Sequence, residues 1–260
     1  KFGFDGVTRA AAIVFFAYIG FDAVSTTAEE AKNPQRDLPI GIFASLAICT
    51  VLYISVAAIL TGLVPYSQID VHAPVAEGLR MVGFKWGAAS VAAGAVAGIP
   101  SVLVVMMLGQ IRVFFAMSRD GLLGPWLSGV HPKFRTPHHA TYLTGVAVAI
   151  MAALIPIGEA ADMTNIGTLF AFVLVCIGIM VLRYTKPNHP RPFRMPFMPV
   201  VPILGVLACL GLMYFLPWMT WIRFFVWTII GILVYAMYGR RHSKLATRPS
   251  PEQSETPRPA

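Results

Sequence analysis

The chain has 260 residues, of which 57% are hydrophobic and only 12% are charged. Soluble domains carry about 25% charged residues, so this composition excludes an ordinary soluble fold and indicates a helical protein with several membrane spans. The formal net charge of +8 comes from basic residues in loops between apolar runs, without the basic surface domain that nucleic-acid binding requires.

Seven apolar stretches predict membrane-spanning helices. They cover residues 7–28, 40–64, 88–117, 141–157, 163–184, 200–216 and 221–238. A short surface helix is predicted over residues 75–82, in the connection between the second and third spans. We therefore predict an all-α membrane protein with one transmembrane region, residues 1–238. Residues 239–260 are predicted to form a disordered cytoplasmic tail, because they contain many prolines and few apolar residues.

Lysine and arginine are distributed unevenly between the two sets of loops. One set, with the tail, holds fourteen of them: Lys32, Arg36, Arg119, Lys133, Arg135, Arg183, Lys186, Arg191, Arg194, Arg240, Arg241, Lys244, Arg248 and Arg258. The opposite set holds three: Arg80, Lys85 and Arg223. The positive-inside rule makes the first set cytoplasmic, so the carboxyl terminus is predicted inside and the amino terminus outside.

The first apolar stretch contains an acid, Asp22, two residues after Gly20. An acid within a span costs about 2.5–3.5 kcal/mol on insertion scales, so it usually faces protein or water. We predict that the helix is broken near residues 17–20, which leaves carbonyls at mid-membrane where a helix dipole suits an ammonium group. Asp22 either caps the second half-helix or contacts a ligand or proton, and the two roles are compatible. The aromatic residues of this stretch are equally consistent with packing: Phe15, Phe16, Tyr18 and Phe21.

Two further groups of residues each admit two interpretations. Arg112 and Arg119 are seven residues apart and share a helix face, so they either pair with carboxylates that close the inner side or extend to lipid phosphates. Asn165, Gly167 and Thr168 open the predicted fifth span. They either line a pathway or are no more than a helix start.

Motifs of the common enzyme classes are missing from the sequence, including HExxH, GxSxG and the Walker loop. His138 and His139 lie in a proline-flanked basic loop without a third ligand at usable spacing. Cys49, Cys176 and Cys209 have neither metal-ligand spacing nor an even count. We therefore predict that the protein is not an enzyme and has no cofactor and no metal site.

Three segments carry a resemblance to a known family: FFAYIGFDAVSTTAEEAKNPQRDLPIGI, RVFFAMSRDGLLGPWLSGVHPKFRTPHHATYLTG and RPFRMPFMPVVPILG. Together they closely resemble amino-acid permeases of the amino acid–polyamine–organocation superfamily, in the branch of the cationic amino acid transporters. The resemblance covers nearly all of residues 7–238. It implies the LeuT-type fold, in which two five-helix repeats are inverted and helices one and six are broken. On this mapping the seven spans correspond to helices six to twelve.

The resemblance implies proton-coupled or exchange transport of an amino acid across the cell (plasma or inner) membrane, with protons as the coupling ion. The implied substrate-binding residues are Phe16, Ala17, Tyr18, Ile19, Gly20 and Asp22. On this mapping the backbone of the first four holds the substrate's α-ammonium group, the glycine permits the break, and the aspartate lies at the edge of the site.

The family's first broken helix has no counterpart in this sequence, nor does its fifth helix, whose lysine is associated with proton coupling in related members. The resemblance therefore implies the carboxyl-terminal part of a permease, which is not competent alone and needs the amino-terminal helices as its partner. A membrane receptor or scaffold that binds a small amine-containing ligand without transporting it is the alternative. The sequence does not indicate which amino acid is carried.

Overall fold

The computed structural model describes residues 3–27, 31–70, 72–187 and 197–243. Within these ranges the chain is helical and contains no strand. The main helices are α1 (Gly3–Tyr18), α2 (Pro34–Leu63), α3 (Pro74–Met81), α4 (Lys85–Arg119), α5 (His138–Leu154), α6 (Ile157–Thr185), α7 (Val200–Tyr214), α8 (Trp218–Val234) and α9 (Arg240–His242). Shorter turns of 3₁₀ helix cover Asp22–Thr27, Tyr66–Gln68 and Pro125–Ser128, and a π-helical turn covers Tyr235–Gly239.

Five of the described helical segments are long and apolar enough to cross a membrane: Gly3–Thr26, Pro34–Leu63, Lys85–Arg119, Ile157–Thr185 and Trp218–His242. Two further apolar helices, α5 and α7, have 17 and 15 residues. Large apolar side chains point outward from these helices, and no residue of α2 is buried. The structure confirms the prediction of an all-α membrane protein. That all seven helices cross the membrane, in the stated orientation, remains a prediction.

Two helices, α2 and α6, each begin six residues earlier than the apolar pattern predicts. α2 begins at Pro34, six residues before the predicted span, because proline is tolerated at the first helical position, where its missing N–H has no partner to lose. α6 begins at Ile157, six residues before the predicted start. Its first turn contains Glu159, and an acid there is favoured by the helix dipole. Sequence patterning treats such polar turns as loops.

Other predictions fall partly outside the described residues. The predicted short helix over residues 75–82 is confirmed as α3. Residues 188–196, which include most of the proline-rich loop, and residues 244–260 of the predicted disordered tail lie outside the described ranges. The disorder of the tail therefore remains a prediction.

The chain forms two compact units, one of Lys1–Ala17 with Gln110–Ala260 and the other of Tyr18–Gly109. In the first unit α6 packs against α7 and α8, and Ala12 of α1 joins the buried core. The buried core of this unit consists of Ala12, Ile166, Leu169, Met213 and Leu216. In the second unit α3 packs on α2, where a side chain at Gly78 would lie 2.6 Å from a Leu60 methyl carbon. A residue with a Cβ at this position would require the Leu60 side chain to move.

Asn165 joins α6 to α1 inside the first unit. Its side chain is 1% exposed, and its Nδ2 donates a hydrogen bond to the backbone carbonyl of Ala12 at 3.1 Å. Asn165 lies more than two turns inside α6, so it does not open that helix. The interpretation of Asn165 as a helix start is therefore wrong.

We expect the Asn165→Ala variant to destabilise the first unit, because it removes a buried hydrogen bond and leaves a small cavity. The expected loss in unfolding free energy is about 1–3 kcal/mol. It is measured as a lowered thermal midpoint in detergent micelles. Thr164→Ala is the matched control, because the exposed Thr164 hydroxyl bonds only to the Ala160 carbonyl of its own helix. Equal midpoints for the two variants would contradict the assignment.

Candidate functional site

The apolar first span is interrupted between Tyr18 and Asp22. The α-helix ends at Tyr18, Gly20 has a φ of +124°, and a 3₁₀ helix begins at Asp22. Only glycine takes such a φ without steric cost. The Gly20 carbonyl accepts a hydrogen bond from the N–H of Ala23 at 3.1 Å, which closes the turn. The structure confirms the predicted break and places it where the glycine and the acid occur together.

Asp22 holds this turn through its side chain. Its Oδ1 accepts a hydrogen bond from the Gly20 N–H at 3.1 Å. In a continuous α-helix that N–H would donate to the carbonyl of Phe16, four residues earlier. The carboxylate therefore replaces a helical acceptor and stabilises the interruption. Its bond is to the residue two positions before it, so it does not cap the following helix in the predicted way. Among the described residues Oδ2 has no hydrogen-bond partner.

The segment after the break is a 3₁₀ helix in which two hydroxyl side chains bond to backbone carbonyls three residues earlier. Ser25 Oγ donates to the carbonyl of Asp22 at 2.6 Å, and Thr26 Oγ1 donates to that of Ala23 at 2.7 Å. Such local bonds compete with the regular helical pattern, and short 3₁₀ pieces are common at helix ends and connections. These two hydroxyls therefore maintain the local backbone.

Two side chains from other helices of the second unit lie against the break. A Cβ at Gly20 would lie 2.7 Å from the Cε of Met106 in α4, so this methionine packs directly on the turn. The ring of Tyr53 in α2 meets that of Tyr18 edge-on, with centroids 5.2 Å apart. Sequence reasoning missed both residues. The only available signal was that Tyr53 is the single tyrosine in α2.

The six predicted substrate-binding residues lie within residues 16–22, and the boundary between the two compact units falls between Ala17 and Tyr18. Phe16 and Ala17 lie in the last turn of α1 and belong to the first unit, and Phe16 is 42% exposed. The other four, Tyr18, Ile19, Gly20 and Asp22, belong to the second unit. Their role in substrate binding remains a prediction.

Other residues of the first unit take part in a ring contact, a cavity and an ion pair. Phe15 packs edge-on against Phe172, with ring centroids 6.1 Å apart, as the packing interpretation predicts. Gly167 lines a mainly apolar cavity of about 330 Å³ between α6 and α8. Glu159 Oε2 and Arg223 Nη2 form an ion pair at 2.7 Å that joins the beginnings of the same two helices.

The described residues contain no group of three or more histidine, cysteine, aspartate or glutamate side chains arranged to hold a metal ion. At the end of α4, Arg119 Nε and Asp120 Oδ1 are 3.9 Å apart, and both side chains are about half exposed. Such a pair contributes little to stability. The predicted roles of Arg112 and Arg119 at the inner side remain open.

An apolar span interrupted by glycine, with an acid beside the interruption, is the pattern found in secondary transporters. The family model described as amino acid permease matches residues 1–238. The chain therefore belongs to the amino acid permease family of the amino acid–polyamine–organocation superfamily, and it is a multi-pass membrane protein.

Curated relatives agree with this family. A branched-chain amino acid permease of Bacillus subtilis is 51% identical over 244 residues, which are 94% of this chain and 52% of the relative. A methylthioribose transporter of the same bacterium is 48% identical, over 94% of this chain and 53% of the relative. A vacuolar cationic amino acid transporter of Arabidopsis thaliana is 40% identical, over 72% of this chain and 31% of the relative. The chain thus spans about half the length of the two bacterial relatives and about a third of the plant one.

Proposed function

We propose that this chain is the carboxyl-terminal, seven-helix part of a secondary amino-acid transporter, and that its interrupted first span supplies half of the substrate site. One observation carries the proposal: the break at Gly20 inside an apolar span, held by the carboxylate of Asp22. Transport proceeds by proton-coupled symport or by exchange, and the amino-terminal helices of the permease complete the site.

The proposed ligand group is the α-ammonium of an amino acid. The α-helix that ends at Tyr18 directs the negative end of its dipole toward the break. The N–H of Gly20 is committed to Asp22, so it does not compete for the carbonyl of Phe16. Backbone carbonyls from Phe16 to Ile19 then contact the ammonium group, and Asp22 adds a negative charge at the edge of the site.

The membrane location and the class of substrate are also part of the proposal. The helices lie in the cell membrane, plasma or inner, with the amino terminus outside and the carboxyl terminus in the cytoplasm, as the lysine and arginine distribution predicts. The relatives are named for branched-chain amino acids, cationic amino acids and methylthioribose. The proposal therefore extends to the amino acid class and to no single member of it.

The test reconstitutes three samples in proteoliposomes: this chain alone, the part of the Bacillus branched-chain permease that the match does not cover, and the two joined in one polypeptide. We expect saturable uptake of radiolabelled amino acids only by the joined protein, because the substrate site needs broken helices from both halves. Saturable uptake by this chain alone would overturn the requirement for a second half. A joined protein that binds amino acids without moving them would favour the receptor or scaffold alternative.

A further inference from the structure

The connection between α4 and α5, residues 120–137, is organised around an imidazole ring that accepts hydrogen bonds. His131 Nδ1 lies 3.2 Å from the backbone nitrogen of Lys133 and 3.3 Å from that of Phe134, and both N–H groups donate to it. An imidazole nitrogen accepts hydrogen bonds only when it carries no proton. The described arrangement therefore requires His131 to be neutral, with its proton on Nε2.

The same residue also fixes the backbone of this connection. The N–H of His131 donates to the carbonyl of Thr136, and the N–H of Arg135 donates to the carbonyl of His131, each at 2.9 Å. Arg135 has a φ of +53°, an uncommon backbone conformation for a side chain of this size. Four hydrogen bonds thus meet at His131, and two of them depend on its protonation state.

Two more imidazoles lie against the first one. The ring centroid of His138 is 5.2 Å from that of His131 and 3.9 Å from that of His139. The Nδ1 of His138 is buried and has no hydrogen-bond partner among the described residues. The ring of His139 also meets the ring of Trp126 edge-on, with centroids 6.0 Å apart. The three rings therefore form one contiguous group between the 3₁₀ turn Pro125–Ser128 and the first turn of α5.

The charged groups around the three rings are mostly basic. The connection carries Lys133 and Arg135, and Lys133 Nζ lies 5.7 Å from the Phe134 ring centroid. The 3₁₀ turn Pro125–Ser128 has no ionisable side chain. Gly239, in the turn after α8, lies close to Leu122 of the connection, and the basic residues that follow it are Arg240, Arg241 and His242. Asp120 is the one acid of the connection, and its carboxylate faces Arg119.

We infer that residues 120–137 form a pH-sensitive connection. Neutral imidazoles maintain its hydrogen-bonded conformation, the closed state, and acidification breaks these hydrogen bonds to give the opened state. Protonation of His131 turns its Nδ1 from an acceptor into a donor that faces two N–H donors. The two hydrogen bonds to Lys133 and Phe134 are then lost. The added positive charge is also opposed by Lys133, Arg135 and any charge on the neighbouring imidazoles.

The sign of the pH dependence follows from the neutral state of the folded connection. Burial lowers the pKa of His138, and the neighbouring His139 and His131 lower it further. His138 lies before the predicted membrane span, which begins at residue 141. Because the pKa of His138 is lowered in the closed state, that state loses stability as pH falls below about 6.5, the ordinary pKa of histidine. Above that pH its full stability is present. This device would act on the side of the membrane that the connection faces, and it does not depend on the proposed transport function.

The test is backbone hydrogen exchange of the whole chain in lipid nanodiscs at pH 7.5 and pH 5.5, corrected for the intrinsic pH dependence of exchange. We expect the amides of Lys133 and Phe134 to lose at least tenfold in protection at pH 5.5, while amides of the buried middle of α6 keep theirs. Unchanged protection of the two amides between the two pH values would overturn the inference.

Two substitutions at position 131 distinguish the role of His131 as a hydrogen-bond acceptor from its role as a titratable group. Asparagine side chains accept hydrogen bonds from backbone N–H groups two or three residues onward, and they do not titrate. We expect His131→Asn to keep both amides protected at both pH values and His131→Ala to leave both exposed at both. A His131→Asn variant that opens on acidification like the wild type would overturn the assignment to His131.

Discussion

Replacing Gly20 by alanine is expected to reduce uptake strongly in the joined permease described above. At a φ of +124° a side chain costs about 1–3 kcal/mol, which disfavours the broken conformation by roughly 5- to 150-fold at 1.36 kcal/mol per factor of ten. The new Cβ would also lie 2.7 Å from the Cε of Met106, so α4 must shift or the methionine must change rotamer. We expect a loss of at least tenfold in initial uptake rate, measured at equal protein density in proteoliposomes.

Two comparisons make the Gly20→Ala result interpretable. Gly62→Ala, in α2, is the matched control, because that glycine has no atoms within 4 Å of an added Cβ and no positive φ. It should transport normally. Combining Gly20→Ala with Met106→Ala removes the contact but leaves the backbone strain, so the double variant should stay impaired. Recovery of uptake in the double variant would show that crowding, and not the φ of residue 20, limits the site.

Asp22 offers the second large effect, because two substitutions separate its charge from its hydrogen bond. Asp22→Asn keeps an Oδ1 that accepts the Gly20 N–H but removes the negative charge. Asp22→Ala removes both. We expect the asparagine variant to fold with a thermal midpoint near that of the wild type and to lose at least tenfold in uptake, because the charge that faces the substrate or proton is gone.

The alanine variant should also lose stability, by about 1.5–3 kcal/mol, since a hydrogen bond to a charged acceptor holds the turn. Thermal unfolding in detergent and uptake in proteoliposomes, measured on the same preparations, distinguish the two roles. If Asp22→Asn transports like the wild type while Asp22→Ala is unstable, Asp22 only maintains the break. The carboxylate would then take no part in binding or proton transfer.

The interruption of the first span could be predicted from sequence because its causes are local. Gly20 supplies the backbone freedom, and Asp22 is too costly in an apolar helix unless something satisfies it. The direction of its hydrogen bond could not be predicted, since it depends on side-chain torsions within the turn. The sequence pattern indicated a cap on the helix that follows, whereas the carboxylate bonds backward to Gly20.

Residues that meet the break from other helices were beyond sequence reasoning. Met106 lies in a run of apolar residues in α4, and nothing in that run distinguishes it from a lipid-facing neighbour. Glu159, in the first turn of α6, shows a similar limit, because its partner Arg223 lies 64 positions later in the sequence. Asn165 shows the same limit, because its partner is a carbonyl of α1. Each depends on a tertiary contact that periodicity does not encode.

The helices differ in length enough to affect how the protein fits a bilayer. α4 has 35 residues and rises about 52 Å, whereas the hydrocarbon core is about 30 Å thick. α7, with 15 residues, rises only about 22 Å. The long helix must tilt or extend into the headgroup region, and the short one draws its polar ends toward the hydrocarbon or thins the lipid around it. On the prediction that both helices cross the membrane, thicker bilayers penalise α7 and not α4, so acyl-chain length becomes a mechanical variable for this protein.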